Sequence, residues 1–454
     1  MTAPARAAAF QALRAVAAEH ADLPHALARA RTTLSDERDR ALASEIVTGT
    51  LRWQRSGEHL IAHVAGRPVS KIDADVLVIL RMSVYQLLHL DRVPASAVVD
   101  DAVNLTRGAR KQSATGFVNA VLRSLLRQRH RLPLPPRPDD SSDEQSAVAY
   151  LGITHSHPDW LVRRWLARAG FEAAEQWVRF NNAPAPLTVR ANRLRVSRDE
   201  LRSWLSQDGI DTEPTRYAPD GAMVTAGNPL RRPAREGGRS EGAFVVQDEA
   251  SQLVPLLLAA RPGERVLDLC ASPGGKTTAV AADMEDTGVI VACDVRARRL
   301  DLLRETIRTS GAGHAHIVQV ASSGELPFRG GFDRVLVDAP CSGLGTIRRD
   351  PDIRWRRSED DLRVFAHAQT VLLARAAEVL RPGGRLVYAT CSSEPEENEQ
   401  VVDQFLREHP AFVLDELRDA HPAVQPLLDA RGMLRTLPHV HGLEAFFAAA
   451  LRRT

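Results

Sequence analysis

Val-Leu-Asp-Leu-Cys-Ala-Ser-Pro-Gly-Gly-Lys-Thr-Thr, residues 266–278, decides the fold. An apolar strand runs into a Gly-rich turn, and a helix start follows. Such a turn lets a ligand come close to the backbone, and the first turn of the helix offers N–H groups that have no partner within the helix. Nucleotide phosphates and adenosyl groups are both bound in this way. A phosphate loop requires GxxxxGK[ST]; Gly275, Lys276 and Thr277 satisfy its end, but Cys270 stands where the first Gly is needed. Further on, Asp294 closes the next strand-like run, where a carboxylate can accept both ribose hydroxyl protons. A Gly-Gly turn by itself also ends ordinary strands. Asp294 in phase with it favours an adenosine ligand.

Working outward, strand-like and helical runs alternate from Asp248 onward, with strands at 265–269, 289–294, 316–320, 334–338 and 385–390. That alternation predicts an α/β domain with a parallel, Rossmann-like sheet, helices on both faces and the ligand at the carboxyl ends of the strands. Upstream, residues 4–131 carry apolar positions at helical spacing in 8–16, 41–51, 76–90 and 117–126. Ser35 reads as an N-cap, and Pro94 opens a helix running through Val98, Val99 and Val103. The stretch 132–148 turns to Pro, Asp and Ser and is expected to be an extended, solvated linker. A helix over 158–180, strands at 187–191 and 222–225 and a helix near 198–205 make a small α+β module, closed by a Pro, Gly and Arg loop over 228–242. The expected organisation is therefore multidomain: an all-α domain over 1–131, a linker over 132–148, the α+β module over 149–245 and the Rossmann-like domain over 246–454.

Composition bounds the partners. A chain of 454 residues, 44% hydrophobic and 26% charged, is that of a water-soluble globular protein of several domains. No apolar run approaches a bilayer span, and the start of the chain lacks the apolar stretch of a secretory signal, so a cytoplasmic location is expected. Residues 1–131 hold 19 Lys and Arg against 12 Asp and Glu, although the whole chain has a net charge of only +2. A basic domain suits a polyanion, because Lys and Arg release counterions from phosphates; solvated helix faces would account for the charge equally well. Arg is the default cation here, and Lys71, Lys111 and Lys276 are the only lysines.

The four cysteines, Cys270, Cys293, Cys341 and Cys391, form no CxxC pair, so no metal site is expected, and buried or reactive thiols are left. Asp338-Ala-Pro-Cys341-Ser-Gly-Leu-Gly-Thr346 follows one apolar strand and Thr390-Cys391-Ser-Ser393 ends the next. Both thiols should therefore face the crevice that holds the Gly-rich loop.

With Cys270 through Lys276, Asp338 to Cys341, Gly343, Gly345, Thr390, Cys391, Glu397 and Asn398 in these positions, the chain resembles the NOL1/NOP2/Sun family of RNA cytosine-C5 methyltransferases. The likeness spans about residues 158–452. The helical 5–129 resembles the NusB-type RNA-binding domain that the bacterial 16S ribosomal RNA methyltransferase B, or Sun, branch carries in front. The resemblance implies S-adenosyl-L-methionine as cofactor, held by Cys270, Ala271, Ser272, Pro273, Gly274, Gly275, Lys276, Asp294 and Asp338. It also implies small-subunit ribosomal RNA as substrate; a monomer is expected. Cytosine C5 is a poor nucleophile; a thiolate that adds at C6 makes C5 an enamine carbon, and a thiol both attacks and leaves well. The family pattern assigns attack to Cys391 and product release to Cys341, with Asp338 on the cytosine N3/N4 edge and Lys276 near the thiolate or a substrate phosphate. The chemistry alone requires only that one thiol attack, and the reverse assignment would match DNA C5 methyltransferases, where a Pro-Cys motif attacks. Arg348 and Arg349 are candidates for RNA phosphate contact.

Two positions depart from the family. Strand three lacks its terminal Asp, leaving Ser322 or backbone groups to substitute, and Glu444 stands where an Asp is usual before the last strand. Three other classes compete: a non-catalytic RNA-binding factor, a P-loop ATPase with residues 332–338 as Walker B strand, and an amino-directed methyltransferase. Both cysteines and an intact loop argue against the first, Cys270 and Pro340-Cys341 against the second, and Cys341 in place of an aromatic residue after Asp-Ala-Pro against the third.

Overall fold

A computed structural model describes residues 2–140, 142–231, 241–417 and 421–454; within the loop expected over 228–242, residues 232–240 lie outside them. The chain forms two compact units, Met1–Ala183 with Ile347–Ser358, and Pro184–Thr346 with Glu359–Thr454.

The first unit is helical. Helices Pro4–Ala17, Leu23–Thr32, Glu37–Arg52, Gln54–Ala65, Ala74–His89, Ala95–Gly108 and Thr115–Gln128 enclose a core in which Ile46, Leu60, Ile61, Ile79, Leu80, Met82 and Leu122 are fully buried. Burying each such side chain contributes about 1.5–3 kcal/mol, so the apolar stripes read from the sequence are what hold the helices together. Aspartates start several of them: Asp22 accepts from the His25 N–H at 3.0 Å and Asp73 from those of Asp75 and Val76 at 3.1 and 3.3 Å. The N-cap expected at Ser35 is Asp36 instead, whose carboxylate accepts the Arg38 N–H at 2.6 Å; Ser35 lies one residue before that cap.

The Pro-rich stretch is not solvated throughout. Leu132 and Leu134 pack against the helical core, and Glu144–Ala149 is a helix capped by Asp143. The long helix Asp159–Asn182 bends at Gly170, where φ is 79°, a conformation that a side chain would strain. Residues Ile347–Ser358, far downstream in the chain, also belong to this unit. There Arg354 is wholly buried and donates to the Ser156 carbonyl at 2.8 Å, Asn182 Oδ1 at 3.0 Å, and the Arg52 and Asn181 carbonyls at 3.4 Å each. Trp355 Nε1 donates to the Leu51 carbonyl at 2.7 Å.

The second unit holds two sheets. Strands β1 (Thr188–Ala191), β2 (Asp211–Pro214), β3 (Gly221–Ala226) and β4 (Phe244–Val246) make an antiparallel sheet in the order β2-β3-β1-β4. The larger sheet contains β5 (Arg265–Asp268), β6 (Val289–Asp294), β7 (Ala315–Gln319), β8 (Phe332–Asp338), β9 (Leu380–Thr390), β10 (Phe412–Leu414), β11 (Leu434–Thr436) and β12 (Phe446–Arg453). Its order is β10-β12-β9-β8-β5-β6-β7, with β11 paired to β12. Strands β5 to β9 pair in parallel, as the alternation predicts, while β10, β11 and β12 add an antiparallel flank.

Successive strand residues supply opposite faces. Val266, Ile290, Ala292, Leu336, Val387 and Ala389 pack with Leu253, Leu257 and Val280; Leu267, Cys293, Val335, Val337, Leu386 and Tyr388 pack with Leu373, Val401 and Phe405. Helices thus cover both faces, and the strand order reverses at β5, between β6 and β8, which opens a crevice at the strands' carboxyl ends.

Arg354→Ala would leave four oxygens of the first unit without their donor. The expected cost is roughly 1–3 kcal/mol, read as a lower unfolding temperature in calorimetry; an unchanged transition would show that these bonds contribute nothing net.

Candidate active site

Because β5, β8 and β9 are neighbours in parallel register, Asp268, Asp338 and Thr390 end on one edge of the sheet. The loop after β5 is tied down from several sides. The Ala271 N–H donates to the Cys293 carbonyl at 2.8 Å, Ser272 Oγ to the Arg299 carbonyl at 2.9 Å, and the Ser272–Pro273 bond is cis. Gly274 has φ 108°, a backbone conformation that favours glycine, and a Cβ there would press on the Leu303 side chain at 3.0 Å. Thr277 Oγ1 donates to Asp268 at 2.7 Å, fastening the helix Gly275–Asp283 to β5. From the small sheet the buried Arg190 donates to the Gly275 carbonyl and Thr278 Oγ1, each at 2.7 Å; burial pulls its pKa to about 10.

Asp294 ends β6 at 3% exposure, accepts the Arg296 N–H at 3.1 Å and has Arg299 at 3.6 Å. Cys270, in the loop beside it, has its thiol pKa pushed well up by burial and then by the Asp268 charge. This donor set fits an adenosyl ligand: a carboxylate on a strand end for the ribose hydroxyls, and a glycine turn that admits a ligand to the backbone of a helix start.

The two cysteines come together. Cys341 Sγ and Cys391 Sγ are 3.2 Å apart. The loop that carries Cys341 is laid against Cys391: the Gly345 N–H donates to the Cys391 carbonyl at 2.9 Å, and the Ala445 N–H to the Gly345 carbonyl at 3.1 Å. A Cβ on Gly345 would fall 1.9 Å from the Ala445 oxygen, so only glycine permits this approach. The contact with Cys391, then burial, raises the Cys341 pKa well above that of a free thiol. Cys293, by contrast, sits in the core, where burial pushes its thiol up to about 12.

Lys276 Nζ donates to Asp338 Oδ2 at 2.6 Å and lies 5.8 Å from the centre of the Phe446 ring. Burial pulls its pKa down, but the Asp338 charge and hydrogen bond, with Cys391 and Asp268 behind them, outweigh it and leave the ammonium raised. Asp268 is pushed up to about 7, chiefly by burial and despite its bond from Thr277.

Other candidates sit elsewhere. Ser322 is exposed past the end of β7, with its carbonyl accepting from Arg375 at 3.4 Å, and Glu444 is buried before β12. Arg348 belongs to the helical unit, stacked 4.3 Å over the Phe180 ring with its Nε on the Ala183 carbonyl at 3.3 Å. No sequence motif singles out Arg190, Asp268, Ser342, Ser392 or Gln369 for a role in the site. Only the serines carried a signal, since each directly follows a site cysteine.

A Rossmann-like sheet with a glycine loop, an acid on the second strand and a catalytic-type loop after the fourth defines a methyltransferase. Residues 255–452 match the family described as 16S rRNA methyltransferase RsmB/F, residues 3–127 the NusB family, and residues 157–231 a ferredoxin-like domain of RsmF/B-like methyltransferases. A Bacillus subtilis protein named probable ribosomal RNA small subunit methyltransferase B is 34% identical over 424 residues, 92% of each chain. Ribosomal RNA small subunit methyltransferase B of Pseudomonas putida is 36% identical over 410 residues, 89% of each. The crystal structure of PH0851 superposes with a TM-score of 0.80 at 26% identity, covering 100% of this chain and 99% of that one. The chain belongs to the RsmB/F methyltransferase family, with a NusB-type helical domain in front, as its motifs imply. Among the described residues no helix is long and apolar enough to cross a membrane.

The buried Asp268 carries a pH signature. With a folded pKa of about 7, raised by burial from the ordinary aspartate value of 3.8, the native state keeps a proton between about pH 4 and 7 that the unfolded chain has released. Stability therefore falls as pH rises through that window. Asp268→Asn should lose this component, so urea unfolding should show the variant gaining on the parent from pH 4.5 to 7.5; parallel pH dependences would contradict it.

Proposed function

We propose that this protein methylates C5 of a cytosine in 16S ribosomal RNA, with Cys391 as nucleophile and Cys341 assisting product release. The observation that carries the reading is the pair of thiols 3.2 Å apart beside the glycine loop. The residues that would hold the cofactor are the loop Cys270, Ala271, Ser272, Pro273, Gly274, Gly275 and Lys276, with Asp294 and Asp338. When bound, S-adenosyl-L-methionine supplies an electrophilic methyl group to C5.

The chain's own residues do the rest. Cys391 as thiolate adds to cytosine C6, which makes C5 nucleophilic; once the methylated C5 has lost its proton, the C6–S bond breaks and the thiolate leaves. Lys276 brings its positive charge close to Cys391. Cys341, its pKa raised by the Cys391 contact and by burial, keeps its proton and can donate to the neighbouring sulfur as it departs. Asp338, held by Lys276, takes the cytosine N3/N4 edge in this reading. The basic helical domain of NusB type supplies the phosphate-directed charge, and an unpaired or extruded cytosine is the form that can enter such a site. Two facing thiols that must stay reduced suit the cytoplasm.

RNA containing 5-fluorocytosine tests the chemistry, because fluorine at C5 cannot leave as a proton does. With S-adenosyl-L-methionine present, a covalent protein–RNA complex stable to denaturation is expected. Cys391→Ala should abolish both adduct and turnover, and Cys341→Ala should accumulate adduct on ordinary RNA. An active enzyme that forms no adduct would rule the mechanism out, and the mirror-image result would exchange the two roles.

A further inference from the structure

Each cysteine is followed by a serine, and both serines end on one carboxylate. Glu397 is fully buried, and its Oε1 accepts the Ser342 N–H at 2.7 Å and Gln369 Nε2 at 3.1 Å; its Oε2 accepts Ser342 Oγ and Ser392 Oγ, each at 2.5 Å. Gln369 also holds the Pro340 carbonyl at 3.0 Å, just before Cys341. On the other side, Asn398 Nδ2 donates to the Ser392 carbonyl at 3.0 Å, and Tyr388 OH donates to the Glu397 carbonyl at 2.5 Å. Ser342, Ser392 and Gln369 are each 1% exposed, so no water competes for these bonds.

We propose that Glu397 is the positioning residue of the reaction: its carboxylate clamps Ser342, which follows Cys341, to Ser392, which follows Cys391, and so fixes the distance between the two sulfurs. The inference rests on the two-cysteine reading above and deepens it. A carboxylate suits the task because it accepts from several directions through two oxygens, whereas a glutamine has one acceptor oxygen and two unwanted donors. Charge-assisted bonds of about 2.5 Å are also the stiffest available to side chains. The geometry matters to the chemistry: a thiol that protonates or exchanges with a leaving sulfur acts only when held in contact with it, and a displacement of about 1 Å can cost of the order of a hundredfold in rate. Burial raises the pKa of Glu397, and the four donors oppose that rise. The group does not touch substrate; it acts through the two loops.

The test compares the full-length enzyme with Glu397→Gln and, as a second variant that keeps the carboxylate, Ser392→Ala. Two readouts are made. The first is thiol proximity: diamide oxidises two thiols to a disulfide and is itself reduced to the hydrazine, and peptide mapping follows the Cys341–Cys391 cross-link. The second is turnover on RNA, with kcat and KM separated. Glu397→Gln is expected to slow the cross-link at least tenfold and lower kcat at least tenfold with KM for RNA unchanged, and to leave adduct on ordinary RNA. Ser392→Ala should lie between it and the parent, and Glu397→Asp should recover less than full rate because the shorter arm reaches one loop only. Parental cross-linking and kcat in Glu397→Gln would overturn the proposal, as would equal loss in KM and kcat with cross-linking intact. If Glu397→Gln does not fold, parental cross-linking and kcat in Ser392→Ala overturn it. Slower cross-linking in variants that form no adduct on any RNA would uphold the clamp while contradicting the C5-adduct reading.

Discussion

Parallel pairing of β8 with β9 brings residues separated by 50 positions in the chain to one edge, and the rest of the site depends on that pairing. The Ala339 N–H continues the ladder onto the Ala389 carbonyl at 2.8 Å, so β8 is still in register when the chain turns at Pro340 toward Cys341. Gly345 then returns to the Cys391 carbonyl, and nothing larger than glycine fits there. The sulfurs meet because the sheet, and not the loop alone, places them.

Around this pair the protein buries charged and ionisable groups that an apolar core would exclude. Lys276 faces Asp338, Arg190 holds the glycine loop, Asp268 holds Thr277, and Glu397 holds two serines. Buried charges are costly unless paired and hydrogen-bonded, and each of these groups is held by such a partner. Elsewhere the sheet's faces are mostly aliphatic layers, with two further buried ion pairs, Arg334–Glu264 and Arg385–Asp415, away from the site.

What was legible in the sequence follows from locality. The glycine loop, Asp294 and both cysteines each announce themselves within a few neighbouring residues, and the helical stripes of the first unit repeat over long enough windows to be read. The clamp did not, because Glu397 lies 55 positions from Ser342 and 28 from Gln369, and no local pattern links them. Strands β2, β4, β10 and β11, of 3 or 4 residues, are too short to show alternation. Asp36 displaced Ser35 as a cap because both are competent and only the backbone decides which faces the helix. The membership of Ile347–Ser358 in the helical unit turns on Arg354, whose acceptors come from three distant segments.

The central claim is that the two thiols share one site with unequal roles, and it is tested most directly by locating the bond itself. Trapped protein–RNA complex would be digested with protease and nuclease and its peptides sequenced by tandem mass spectrometry. The nucleotide is predicted on the peptide containing Cys391, with Cys341 recovered as a free thiol. A nucleotide on Cys341, or on neither cysteine, would contradict the account.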